Sequence, residues 1–168
     1  MNEIHTLRNT HFLQAIARVK NKAKANGDIL TVQQLCSLAA KEPAPGYYIS
    51  YGYARRHLSR IVDHRSNSLK IDPSDPSFSS PRTQMMIEVA RKCIDYRRSV
   101  PGLELGYALA RVLAFERASS FFLSDSYAVT VYYHGKNALT GTSRKTTGRR
   151  RNRKLFRKTS SKKLSCQP

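Results

Sequence analysis

Residues 42–54 read EPAPGYYISYGYA, and 74 residues later residues 116–128 read ERASSFFLSDSYA. The match has no gap. Five of the thirteen positions are identical: Glu42/Glu116, Ala44/Ala118, Ser50/Ser124, Tyr53/Tyr127 and Ala54/Ala128. Three more keep their chemistry, as Tyr47/Phe121, Tyr48/Phe122 and Ile49/Leu123. A weaker apolar correspondence runs upstream through Leu35/Leu109, Leu38/Val112, Ala39/Leu113 and Ala40/Ala114. Self-similarity at a fixed offset implies that one supersecondary unit occurs twice, and it constrains the fold more than any single motif.

What flanks each copy is helical in pattern. Phe12, Ile16, Val19 and Ala23 form one apolar stripe over residues 10–26, with Asn26-Gly27 as a stop. Thr31 and Gln34 make a capping box for a helix whose buried face is Val32, Leu35, Leu38 and Ala39. Pro43 disfavours helix at the residue before it, so that helix ends near Lys41. Ser50 then suits an N-cap for a helix over 51–64, with Ala54, Leu58, Ile61 and Val62 buried and Arg55, Arg56 and Arg60 outward. Residues 66–79 are rich in Ser and Pro and read as a linker, with Leu69 and Ile71 able to add one short strand. Ser80-Pro81 opens a helix with Met85, Met86, Val89, Cys93 and Tyr96 on one face. Leu105, Leu109, Val112 and Leu113 carry the next. Ser124 caps a last helix that ends by His134-Gly135.

The expected fold is therefore mainly α: two tandem helix-turn-helix-like three-helix repeats, 8–65 and 80–135, followed by a basic tail. From residue 136 onward the periodicity disappears, and few large apolar residues remain. Such a segment cannot offset its ordering entropy by burial, so 136–168 is expected to be disordered when free.

Charge sets the class of partner. The 168 residues carry a formal net charge of +19, of which +12 falls on 136–168, a stretch with no acid. A field of this sign attracts polyanions. Within the tail, Arg149, Arg150, Arg151, Arg153, Lys154, Arg157 and Lys158 lie within ten residues. A block of this kind engages phosphate backbones without sequence preference. In the first repeat, Arg55, Arg56 and Arg60 sit on a helix placed like a recognition helix, which leads into the major groove with its N-terminal residues. Arginine can bond guanine bidentately. The second repeat has Val129, Thr130, Val131 and His134 where the first has Arg55, Arg56, His57 and Arg60, so its last helix is expected to pack against protein. The bland alternatives are a solvated basic face and drift of a purely structural repeat. The aromatic pairs Tyr47-Tyr48 and Phe121-Phe122 suit a wedge between helices better than a platform for stacked bases.

Several classes find no support. No apolar run approaches the ~20 residues that span a bilayer, and the N-terminus does not read as a secretory signal. Cys36, Cys93 and Cys166 are odd in number and far apart, which favours a reducing compartment over a disulfide framework. The five histidines show no metal-ligand spacing, and neither a glycine-rich phosphate loop nor GxSxG occurs, so no enzyme, cofactor or metal is expected. The pattern Ala44-Pro45, Tyr47-Tyr48-Ile49-Ser50 and Tyr53-Ala54 resembles one seen in small uncharacterised proteins of gut bacteria and their phages, and it implies no activity. The expectation is a non-enzymatic nucleic-acid-binding protein, DNA favoured over RNA, a small regulator or a DNA-compacting accessory protein. The helix over 51–64 would orient it and the tail would add non-specific affinity. It would bind no membrane, and a homodimer or a protein partner could form through the second repeat. Its expected place is the cytoplasm, nucleoid-associated, or a virion if phage-encoded. The alternative is a structural or assembly protein, ribosome- or virion-associated, that uses the repeats as an interaction scaffold.

Overall fold

The structure, a computed structural model, describes residues 3–63 and 65–139. Those residues are mainly helical. Six helices run in the order α1 (Glu3–Asn26), α2 (Val32–Ala40), α3 (Tyr51–Ile61), α4 (Pro81–Ser99), α5 (Leu105–Phe115) and α6 (Asp125–Leu139). Between α3 and α4 lie a two-residue antiparallel pair, β1 (Val62–Asp63) with β2 (Ser68–Leu69), and a 3-10 turn over Pro76–Phe78.

The local signals in the sequence explain most of the helix ends. Gly27 adopts φ +78, and its neighbour Asp28 donates back to the Ala23 carbonyl, closing α1 in a left-handed cap. The Thr31/Gln34 capping box forms in both directions. Ser50 accepts from the Tyr53 N–H, Ser80 from Thr83 with Pro81 at the first helical position, and Ser124 from Tyr127. Every residue of the Phe12, Ile16, Val19 and Ala23 stripe is buried.

Three ends differ from expectation. The first helix begins at Glu3 rather than near residue 10, and its added turns carry Arg8 to the Tyr127 hydroxyl of α6 at 2.9 Å. The helix expected over 51–64 stops at Ile61, because Val62 turns extended and pairs with Leu69 while Lys70 donates to the Ile61 carbonyl. Two consecutive β-branched residues favour that change. In the second half, α6 does not end at His134-Gly135 but continues to Leu139. Gly135 is inside the helix because α1 crosses there: a Cβ on it would lie 2.5 Å from the Leu13 side chain. Glycine is present for close approach, not termination.

The packing follows the repeat. Within each half the first two helices pair, α1 with α2 and α4 with α5. The third helix crosses over. α3 packs on α4 and α5, and α6 packs on α1 and α2. Each half thus completes the three-helix cluster of the other, and residues from both contribute to a single apolar core. The repeated motifs meet where the halves cross. Ala44 and Ala118, identical positions in the repeat, form an antiparallel bridge of two hydrogen bonds, 3.0 and 3.2 Å. A residue paired with its own counterpart marks a local pseudo-two-fold axis.

Further pairs obey the same 74-residue offset. Arg18 bridges to Glu42 at 3.0 Å, and Lys92 to Glu116 at 3.3 Å. Arg82 lies over the Tyr53 ring at 4.0 Å, and Arg8 over the Tyr127 ring at 4.9 Å. The first kind of pair lies within a half; the second ties α1 or α4 to the third helix of the opposite half. Around the axis the aromatics interlock. Phe121 meets Phe12 edge-on at 5.4 Å and stacks parallel to Tyr48 at 6.3 Å, and the Tyr48 hydroxyl lies 2.7 Å from His11 Nδ1. Tyr47 and Phe121 are buried, so these two positions serve the core.

A candidate nucleic-acid interface

α3 is amphipathic with unusual clarity. Ala54, Leu58 and Ile61 face the core, whereas Arg55, Arg56, Ser59 and Arg60 are exposed. The exposed residues divide between two sides of the helix. Arg55 and Ser59 turn toward α5, where they line a cleft of about 760 Å³ with Tyr51, Arg97, Glu104 and Tyr107. Arg56 and Arg60, one turn apart, lie on the other side beside His57. The imidazole of His57 is held below its ordinary value, first by burial, then by the positive charge of Arg60, Arg82 and Arg56. The structure therefore brings Arg56 and Arg82 to one pocket, with Arg60 near enough to act on the same imidazole, and it places Arg55 on a different cleft.

Arg82 comes from the second residue of α4, in the opposite half of the chain. The sequence reading did not single it out. Its only mark in the sequence is its offset of 74 residues from Arg8, upstream of the stretch where the copies keep their residue types.

Two small pockets adjoin here, and they are counterparts. One, about 240 Å³, is lined by Ile4, His5, Tyr48, Ile49, Ser50, Tyr53, Arg56 and Arg82. The other, about 630 Å³, has Phe122, Leu123, Ser124 and Tyr127 in the places of Tyr48, Ile49, Ser50 and Tyr53. His5 and Arg82 line both, and Arg8 lines the second. Neither contains an acidic side chain. Phe122, at φ +49, holds a left-handed backbone that a bulky aromatic rarely adopts.

One acid is engaged in a network of its own. Glu88, on α4, accepts from the Tyr47 hydroxyl at 2.5 Å, from the Ser119 N–H at 2.9 Å and from the Ser119 hydroxyl. Burial works to raise the Glu88 carboxyl, but those hydrogen bonds and Lys92 outweigh it and hold the group below its ordinary range. The same carboxylate, after burial, pushes the Tyr47 phenol up. This knot ties the first motif copy, α4 and the second copy together.

The remaining chemistry is quiet. Cys36 and Cys93 are buried free thiols. Burial raises Cys36 and pushes Cys93 up to about 12, which disfavours the thiolate a nucleophile needs. Among the described residues no group of three His, Cys, Asp or Glu side chains could hold a metal ion, and no helix is long and apolar enough to cross a membrane. On the last helix, Val131 is buried, Val129 half-buried, and Thr130 and His134 exposed. The basic cluster at Arg149, Arg150, Arg151, Arg153, Lys154, Arg157 and Lys158 lies outside the described residues. Comparison with family models, with curated proteins and with solved structures finds no match.

Proposed function

We propose that this protein is a non-enzymatic nucleic-acid-binding protein, with DNA as its favoured ligand. The observation that carries the reading is the Arg56–Arg60 face of α3. It is exposed, basic, joined by Arg82, and without a carboxylate partner among the described residues. Cations left unpaired on one face are the footprint that phosphate recognition requires. By contrast, Arg18 and Lys92 each have a glutamate partner. In this reading α3 is the helix presented to the ligand. It takes the recognition-helix role of a helix-turn-helix, although it packs on α4 and α5 of the other half rather than on its own preceding helix. The tail block Arg149–Arg151, Arg153, Lys154, Arg157 and Lys158 adds sequence-independent affinity.

The test is a salt titration of binding to duplex DNA, duplex RNA and single strands. It compares the full chain with R56A/R60A and with a full-length variant whose tail arginines are Gln. At ~150 mM salt, where exposed charges are well screened, the tail variant should bind more weakly but keep its ligand preference. R56A/R60A should lose that preference and show a salt slope lower by about two. Equal binding of every polyanion by all three proteins rules the reading out.

One observation favours a different class. α5 leaves Tyr107 and Phe115 62% and 79% exposed, eight residues apart along one face with Arg111 between them. A scaffold that docks protein on α5 would use that face, and R56A/R60A would leave its binding unchanged.

A further inference from the structure

The two counterpart arginines differ in what their guanidinium groups have left to offer. Arg8 lies over Tyr127 and is already bonded: its Nη2 donates to the Tyr127 hydroxyl at 2.9 Å and to Asn9 Oδ1 at 3.2 Å, and its Nε to Asn9 at 3.3 Å. Arg82 lies over Tyr53 at the shorter distance of 4.0 Å and has no hydrogen-bond or carboxylate partner among the described residues. A guanidinium held this close over a ring is restrained by it, and with no other partner among the described residues its N–H donors remain available. That arrangement is pre-organised for a tetrahedral oxyanion, which accepts two parallel N–H bonds. The small pocket at this edge holds Arg56, His5 and Ser50 as well, with no acid to compete.

We infer that Arg82, held over Tyr53 and joined by Arg56, grips a phosphodiester of the nucleic-acid backbone in this pocket. The site is composite. Tyr53 and Arg56 come from the first half and Arg82 from the second, so it exists only because α3 crosses to α4. The inference rests on the nucleic-acid reading above and names a contact that sets register on the strand rather than reading bases. The Arg8 pocket is its counterpart, with the equivalent guanidinium already occupied by Tyr127 and Asn9, and it contributes less. Arg55, on the far side of α3, lies outside the site.

The experiment uses the full chain, a short blunt DNA duplex, and inorganic phosphate as an independent probe. R82A should lower the slope of log affinity against log salt by about one, the signature of one lost phosphate contact. R82K keeps the charge but not the fork, so affinity should fall several-fold with the slope nearly unchanged. R8A should change affinity less than R82A does. Identical affinity and slope in wild type, R82A and R82K overturn the site while leaving the nucleic-acid reading intact. Should R82A fail to fold, R82K alone decides. If the wild type binds no duplex, the nucleic-acid reading falls, and phosphate then judges the site. Phosphate should raise the titration midpoint of the His57 imidazole, followed by NMR, and should do so at a several-fold lower concentration in wild type than in R82K. The absence of that difference overturns the site as well.

Discussion

The two halves share a scaffold and differ in what they show to solvent. Both have a helix pair, a bridge-forming alanine, a serine cap, an arginine over a tyrosine, and a cation paired with the motif glutamate. Those positions are kept because each makes the same contact on either side of the axis. The differences are just as orderly. Glu88, Tyr47 and Ser119 form a hydrogen-bonded knot, whereas their counterparts at the 74-residue offset are Gln14, Phe121 and Pro45, which cannot. Arg56 and Arg60 on α3 correspond to Thr130 and His134 on α6. One face of the pseudo-dyad is thus polar and cross-braced, the other apolar and aromatic. A repeat read only for its identities reveals the frame; read for its departures, it points to where the halves specialise.

The comparison can be broken first at its apolar side. Phe121→Ala removes the ring that packs on Phe12 and Tyr48, and should cost about 3–5 kcal/mol in urea unfolding of the full chain. A loss below about 1 kcal/mol would mean that the aromatic interlock is not what joins the halves. The polar side comes next. Glu88→Ala strands the Tyr47 hydroxyl and the Ser119 donors, and should cost about 2–3 kcal/mol, while Gln14→Ala at the exposed counterpart should stay within about 0.5 kcal/mol. Equal effects at the two positions would show that the knot adds nothing.

Acid sharpens the same contrast. The Glu88 carboxyl titrates below its ordinary 4.5 in the folded protein. Its contribution to stability is therefore complete above that ordinary value and is lost as pH falls through the depressed folded value. The urea midpoint of wild type should drop relative to Glu88→Gln as pH is taken below about 4.5. Parallel curves for the two proteins would refute the assignment. The smallest effects belong to the kept ion pairs. Arg18→Ala and Lys92→Ala each break an exposed or half-exposed pair and should cost less than about 1 kcal/mol. Lys92 should be the larger of the two, because its ammonium also donates to the Arg117 carbonyl at 2.6 Å.

Helix by helix, the sequence was legible wherever a local signal decides. The Thr31/Gln34 box, the Ser80-Pro81 start and the Gly27 stop each depend on a few adjacent residues, and each forms. Gly135 misled because glycine has two uses, and only the neighbour across space, Leu13, tells them apart. Val62 misled because helix periodicity and a buried strand end look alike over two residues. The crossing of the third helices was not legible. An apolar stripe states that a face will be buried but not against which partner, and nothing in Ala54, Leu58 and Ile61 themselves names the pair of helices that covers them. For the same reason Arg56 and Arg60, neighbours on one helix, could be grouped from sequence, while Arg82 joins them only through that crossing.

The exchange of third helices also sets an order of events along the chain. α2 has Leu35, Cys36, Ala39 and Ala40 to bury, and one of its two main packing partners, α6, starts at Asp125. A nascent chain that has emerged only through α3 holds a helix pair with one side uncovered. Contacts this distant in sequence must close long loops before burial rewards them, which slows folding relative to a bundle of sequential neighbours. The cluster of α3, α4 and α5 is contiguous in sequence and can form first, whereas that of α1, α2 and α6 closes only when the final helix is added.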